Sequence, residues 1–174
     1  MPCDIVTTPG SALATSYADI AAADAYFAAG AHLFGATWLA ASEASKCAAL
    51  KQATRHLDDW FLWAGTPTTT TQALQWPRGG LSDRVGNAQD QNALPVDVVR
   101  ATCEVAQAML VSDVRADSDL EVNRITSLTV GSVALAFGSG VRAKAISDQV
   151  TAMLRHWGAV RDIGGTRSLP LVRV

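Results

Sequence analysis

Apolar positions recur at helical spacing in four stretches of the chain and at period two in a fifth. The first stretch runs Ile20 to Ala29, with Asp19 as its N-cap and Gly30 at its end. Ile20, Ala23, Phe27 and Tyr26 line its apolar face. The second opens at Ser42, another N-cap, and runs from Glu43 to about Leu62. Ala49/Leu50, Ala53, Leu57 and Trp60/Phe61 recur there at three and four residues. Lys46, Lys51, Arg55, Asp58 and Asp59 fall largely off that stripe. The third starts after Pro95, whose missing N–H costs nothing at a first helical position. It runs from about Val96 to Arg115, with Val98, Ala101/Thr102, Val105, Ala108/Met109 and Ser112 on one face. The fourth begins at about Lys144 or Ser147 and ends at Trp157, with Gly158 as the stop. Between the last two the period changes. Ile125, Leu128 and Val130 precede Gly131-Ser132, and Val133, Leu135 and Phe137 follow, which predicts a β-hairpin.

The rest is irregular. Residues 1 to 16 are rich in Thr, Ser, Pro and Gly and read as extended. A loop carries Phe34 and Trp38. Residues 65 to 94 form the longest irregular stretch, with a threonine run, the block Trp76-Pro77-Arg78-Gly79-Gly80 and a polar loop from Ser82 to Asn92. A loop of that length in a compact domain is usually functional or docked on something. The resulting fold class is mainly α: a small helical bundle around Tyr26, Leu50, Leu57 and Val105, with an inserted β-hairpin and an extended C-terminal arm. Residues 1–158 form the helical domain, with the hairpin at about 124–137. Residues 159–174 form the arm.

Composition alters this picture in one respect. Hydrophobic residues make up 49% of the 174, yet aromatics are 6% and charged residues 17%. Alanine supplies 31 of the apolar positions, and alanine buries little area. Nine of the eleven aromatics lie between Tyr17 and Trp76, so the first half can build the denser core. The hairpin and arm must find contacts elsewhere, and the low charge suggests surface covered by a partner. A net charge of −2 and a pI near 5.8 argue against a dedicated nucleic-acid binder. No apolar run is long enough for a membrane-spanning helix. The start lacks the basic and apolar regions of a signal peptide. Cys3, Cys47 and Cys103 are odd in number and far apart. They suggest neither a disulfide framework nor a metal site, and Cys47 and Cys103 read as small buried apolar residues. That usage fits a reducing place of synthesis, the cytoplasm.

No catalytic constellation emerges. His32, His56 and His156 are isolated, and no G-x-S-x-G elbow exists. Gly138-Ser139-Gly140-Val141-Arg142-Ala143 matches a dinucleotide loop in spacing. Its strand belongs to a hairpin, however, and no βαβ unit follows. The acidic residues Asp113, Asp117, Asp119 and Glu121 lack the glycine of a calcium loop. Asp58 and Asp59 are helical neighbours that point apart. The chain reads as no enzyme, with no cofactor and no metal.

Two segments carry binding potential. Trp76, Pro77 and Arg78, with Arg84 and Arg100, offer an aromatic among arginines, the combination that stacks and neutralises single strands. Asp83, Asp90 and Asp97 are interleaved with them. The structural alternative has Trp76 anchoring the loop, Pro77 stiffening it and Arg78 pairing with a carboxylate. The arm holds Arg167, Leu169, Leu171, Val172 and Arg173, apolar and basic at once, a candidate for strand addition or groove binding on a neighbouring subunit.

The order of features resembles a known family. Ser16-Tyr17-Ala18-Asp19 and Ala22-Ala23-Asp24-Ala25-Tyr26-Phe27 open the match. It continues through Trp38, Lys46-x-x-Ala49-Leu50-x-x-Ala53-Thr54-x-x-Leu57-Asp58 and Trp63-x-Gly65. It is most specific at Gln72-Ala73-Leu74-Gln75-Trp76-Pro77-Arg78-Gly79, then runs through Leu94-Pro95-x-x-Val98 to the Gly164-Gly165 and Leu171-Val172-Arg173 close. These residues resemble the head–tail connector proteins of tailed bacteriophages, also called adaptor or head-completion proteins. Some members carry the label "putative DnaT-like single-stranded-DNA-binding protein". The resemblance implies a virion structural protein at the neck, made in the host cytoplasm. It implies a ring of identical copies, a dodecamer, beneath the portal protein. A tail or stopper protein would bind below, and genomic DNA would pass through the lumen without specific binding. The alternative is a single-stranded-DNA-binding replication accessory protein. Trp76, Pro77, Arg78 and the arm residues Arg167, Leu169, Leu171, Val172 and Arg173 are the expected partner contacts.

Overall fold

A computed structural model describes residues 3–30, 35–112, 127–130, 133–136 and 145–161, with the strands inside 127–136 described as backbone only. Helix α1 spans Ile20–Ala29, and the Asp19 carboxylate accepts from the Ala22 N–H at 2.7 Å. Helix α2, Gly35–Ala40, stands where a loop is expected, and Trp38 on it is fully buried against Phe27 of α1. Helix α3, Glu43–Trp60, starts at the Ser42 cap, whose hydroxyl accepts from the Ser45 N–H. Helix α4 spans Val96–Val111 and helix α5 spans Asp148–Leu154, capped by Ser147.

Packing centres on α3. Its inner face carries Ala49, Leu50, Ala53 and Leu57, all buried, against Val98, Ala101, Val105 and Ala106 of α4. Alanines at such a contact favour the short end of the ~8–10 Å range of helix separations. Leu50 and Leu57 each contribute roughly 1.5–3 kcal/mol by leaving water. Helix α4 in turn packs on α5 through Val150, Leu154 and Ile146. Lys46 is not on the solvent side. It is 8% exposed and its Nζ lies 2.8 Å from Asp24 of α1. The same Asp24 oxygen accepts from the Trp38 indole at 2.7 Å. Burial raises the Asp24 carboxyl, but the bonds from Lys46 and Trp38 and the Lys46 charge outweigh it and hold the pKa below the ordinary value. One ion pair thus ties α1, α2 and α3.

The fold is a helical set joined to small sheets, a mixed α/β arrangement more than the mainly α bundle of the sequence reading. Strand β1 (Phe61–Trp63) pairs antiparallel with β6 (Gly158–Val160). Strands β2 (Thr66–Pro67) and β3 (Arg78–Gly79) pair likewise. Strands β4 (Ser127–Val130) and β5 (Val133–Ala136) form a third antiparallel pair around residues 131–132. Strands of two or three residues carry no alternation to read, so β1, β2, β3 and β6 escape a periodicity search. Pairing of β6 also makes Ala159 and Val160 part of the folded sheet, where the sequence suggests the arm has already begun. Residues 31–34, 113–126 and 137–144 hold His32, Phe34, the acidic stretch and the glycine-rich loop. These lie outside the described residues, as does the arm from residue 162 onward.

A further correction concerns the cysteines. Cys3 and Cys47 are joined in a disulfide, with Cα atoms 5.7 Å apart and 44 residues between them. The N-terminal segment runs back along α3, which no local pattern announces. Cys103 is free and buried.

Gly65 makes the tight passage from β1 to β2. Its φ is +69°, and a Cβ there would lie 2.5 Å from the Gly79 carbonyl oxygen and 2.9 Å from Leu81 Cγ. Gly80 has a similar φ of +77° but open space around the Cβ position. The expected outcome is that Gly80→Ala costs about 1 kcal/mol and Gly65→Ala at least about 2–3 kcal/mol in urea unfolding. Equal costs would show that the clash with β3 does not matter.

Candidate functional site

The long loop is held to the helices at two places, and the first is the C-terminal end of α3. Leu50, Thr54 and Asp58 follow one another at four-residue steps, so Asp58 falls on the inner edge of the apolar stripe. Its Oδ1 accepts from the Tyr17 hydroxyl at 2.6 Å and from the Trp63 indole at 3.0 Å. Its Oδ2 accepts from the Gln75 backbone N–H at 3.3 Å. The Tyr17 oxygen then accepts from the Trp76 N–H at 3.3 Å. Three stretches of chain meet at one carboxylate: the N-terminal segment, the α3–β1 junction and the loop before β3. Burial pushes the Asp58 carboxyl up to about 6, against the lowering effect of its donors. Burial and the Asp58 charge push the Tyr17 phenol well above its ordinary value.

Trp76, Pro77 and Arg78 sit under this hub. Trp76 is 1% exposed, Pro77 is fully buried and Arg78 is 7% exposed. The Trp76–Pro77 peptide bond is cis. The Trp76 ring meets Trp63 and Trp157 edge-on, with centroids 5.7 and 5.6 Å apart. Its indole N–H has no hydrogen-bond partner among the described residues. Arg78 is paired with carbonyls and not with a carboxylate. Nε donates to Ala64 O at 2.6 Å, Nη2 to Gly65 O at 2.8 Å and Nη1 to Gln75 O at 3.1 Å. Burial lowers its pKa, while the Asp58 carboxylate opposes that effect. The planar guanidinium fork satisfies carbonyls that a short, irregular strand leaves unpaired. These three residues therefore build the loop from inside. All three side chains are buried in this conformation.

The second anchor lies between the polar loop and α5. Arg84 Nη2 donates to Asp97 Oδ2 at 3.1 Å and to the Met153 carbonyl at 2.9 Å. The Trp157 indole reaches the same Asp97 oxygen at 3.3 Å. His156 Nε2 lies 2.6 Å from the Ser82 carbonyl. The loop tip is an Asp83 turn, in which the carboxylate accepts from the Val85 and Asn87 backbones and the Asn87 side chain. The Asn87 bond is the main reason the Asp83 pKa is lowered. Arg84 is thus paired, while Arg100 is exposed on α4. His56 is buried on α3 and its Nε2 faces the Ala145 carbonyl, a packing role. Asp59 is exposed while Asp58 turns inward, as helical neighbours must. Arg167, Leu169, Leu171, Val172 and Arg173 lie outside the described residues. Among the described residues no group of three or more His, Cys, Asp or Glu is placed to hold a metal ion. None of their helices is long and apolar enough to cross a membrane.

Two expectations follow. Arg78→Lys keeps the charge but loses the fork. It should destabilise the fold by about 2–3 kcal/mol in urea unfolding, through carbonyls left without donors. The Asp58 carboxyl in the folded chain holds a proton up to about pH 6, whereas an ordinary carboxyl releases it near 3.8. Its stabilising contribution is present below pH 4 and is lost as pH rises through 6. The stability of the wild type relative to Asp58→Asn should therefore fall by roughly 2–3 kcal/mol between pH 4 and 7. A pH-independent difference in unfolding free energy would refute this.

Comparison with known proteins completes the description. No curated protein and no solved structure matches the chain. One family model covers all of it, residues 1–174. The description of that family names no connector, ring or portal. By this match the chain belongs to the family described as "Putative DnaT-like ssDNA binding protein".

Proposed function

We propose that the chain is a virion structural protein, a head–tail connector that forms a ring under the portal and continues the DNA channel toward the tail. The observation that carries this reading is the internal use of Trp76 and Arg78. The aromatic and arginine that would serve a single strand are buried and bonded within the chain. Trp38 and Trp157 are buried as well. What the surface offers instead is apolar: Leu13, Leu39, Leu62, Val85, Val96 and Val111 are all more than half exposed. The hairpin strands Ser127–Val130 and Val133–Ala136 contain no charged residue. Low charge and exposed aliphatics suit subunits that meet face to unlike face in a ring. The resemblance set out above supplies the portal, the tail or stopper protein and the passing genomic DNA as partners. A position at the neck of the virion goes with this reading.

A second reading, a single-stranded-DNA-binding accessory protein, draws on the family description. Stacking would then fall to the half-buried Trp60 and Trp63. Exposed Arg161 bonds through its backbone N–H to the Trp60 carbonyl and is the arginine next to this pair in the sheet.

The readings separate in two measurements. Mixed with the portal oligomer of its own virus, the protein should co-sediment and add a ring of density in negative-stain images. Labelled oligonucleotide should bind no tighter than millimolar at moderate salt. Failure to join the portal, with micromolar oligonucleotide binding that falls steeply with salt and is weakened by Trp60→Ala, would favour the second reading.

A further inference from the structure

We propose that the Cys3–Cys47 pair is a redox-controlled strap: its closure fixes the N-terminal segment along α3, and its reduction frees the segment's leading end. Several observations converge on this. The segment is seated on one helix at two separate places. At its start Cys3 is bonded to Cys47 on α3. At its end the Ser16 hydroxyl lies 3.2 Å from the Thr54 hydroxyl, the Tyr17 N–H donates to Thr54 at 3.1 Å, and the Tyr17 phenol reaches Asp58. Cys47 and Thr54 are about two helical turns apart. Between those seats the segment folds back on itself, with the Thr15 N–H donating to Val6 O at 2.8 Å and the Val6 N–H to Thr15 Oγ1 at 3.0 Å. The turn of that fold accepts the Ala73 N–H on the Ser11 carbonyl, so the segment also touches the long loop. Without the disulfide, residues 3–5 have no hydrogen bond to α3. The Ser16–Tyr17 seat does not depend on it.

The third cysteine does not compete. Cys103 is fully buried on α4, and burial pushes its thiol up to about 12, so it yields almost no thiolate. Cys3 is partly exposed and Cys47 nearly buried, which sets the order of exchange. With a small-molecule disulfide such as oxidised glutathione as oxidant, the Cys3 thiolate attacks one sulfur and forms a mixed disulfide. The first small thiolate leaves. The Cys47 thiolate then attacks Cys3 Sγ, the protein disulfide forms, and the second small thiolate leaves. Two electrons pass from the cysteines to the small disulfide, and the two protons shed by the protein thiols end on the two released thiols. A small dithiol reductant runs the sequence backwards.

The test uses the full chain. After incubation with oxidised glutathione, removal of the reagent and unfolding in an alkylating agent, intact mass should show one alkylated cysteine. After dithiothreitol it should show three. Native-state hydrogen exchange should then report the Val6 and Thr15 amides opening at least ten-fold faster in the reduced protein and in Cys3→Ser, with α4 amides unchanged. Cys103→Ser should keep both the oxidised mass and the slow exchange. Cys3 is partly exposed, so its serine variant tests the strap without opening a hole in the core. Three alkylated cysteines after the oxidant, or N-terminal exchange equal in the two redox states, would overturn the proposal.

Discussion

A carboxylate with its charge half-withdrawn from water has to collect donors, and Asp58 collects them from separate stretches of the chain. Tyr17, Trp63 and Gln75 all donate to it, and Tyr17 passes the connection on to the Trp76 backbone. The position of β1, the descent of the loop toward β3 and the seat of the N-terminal segment are consequences of satisfying that one group. An aliphatic residue at the same place could bury as much area but would orient nothing, because hydrophobic contact has no direction. The cost of desolvating the acid appears in its raised pKa; the return is a defined path for a loop with almost no regular structure.

Arg78 performs the complementary task at the other polarity. The carboxylate gathers N–H and O–H donors, while the guanidinium gathers carbonyls from the Ala64–Gly65 turn and from Gln75. The two groups do not form an ion pair with each other. Each organises its own side of the loop, with Trp76 filling the space between β1 and α5. Such a loop is rigid by construction, and its exposed positions are chiefly small, polar or aliphatic. For the proposed ring subunit this gives a firm outer face, on which shape and apolar contact dominate over charge.

The helices were largely legible because caps and periodicity agree. Asp19 and Ser42 cap where expected, and the Leu50–Leu57 and Val98–Val105 stripes face each other. Asp58 was legible in principle, since it continues the Leu50–Thr54 step, but an acid on a helix is ordinarily assigned to water. Lys46 was misplaced for the same reason, and only Asp24 on another helix rescues its burial. The Trp76-Pro77-Arg78 block stood out by composition, yet composition cannot distinguish an arginine that reaches outward from one that braces carbonyls beneath the surface. The short strands were invisible, because two or three residues are held by what lies across from them and not by their own alternation. The cysteine pair was hidden by 44 residues of intervening chain.

The tryptophan arrangement has an optical consequence. Trp63, Trp76 and Trp157 belong to β1, the loop and the turn after α5, and their rings stand near perpendicular in sequence, at 85° and 86°. Indoles fixed in an asymmetric array give near-ultraviolet circular dichroism that vanishes when tertiary packing loosens, even if the helices persist. The protein therefore carries an unlabelled reporter whose signal follows the docking of the long loop. The far-ultraviolet signal follows the helices, so a change of loop state on assembly would be visible in solution without adding a dye or altering a residue.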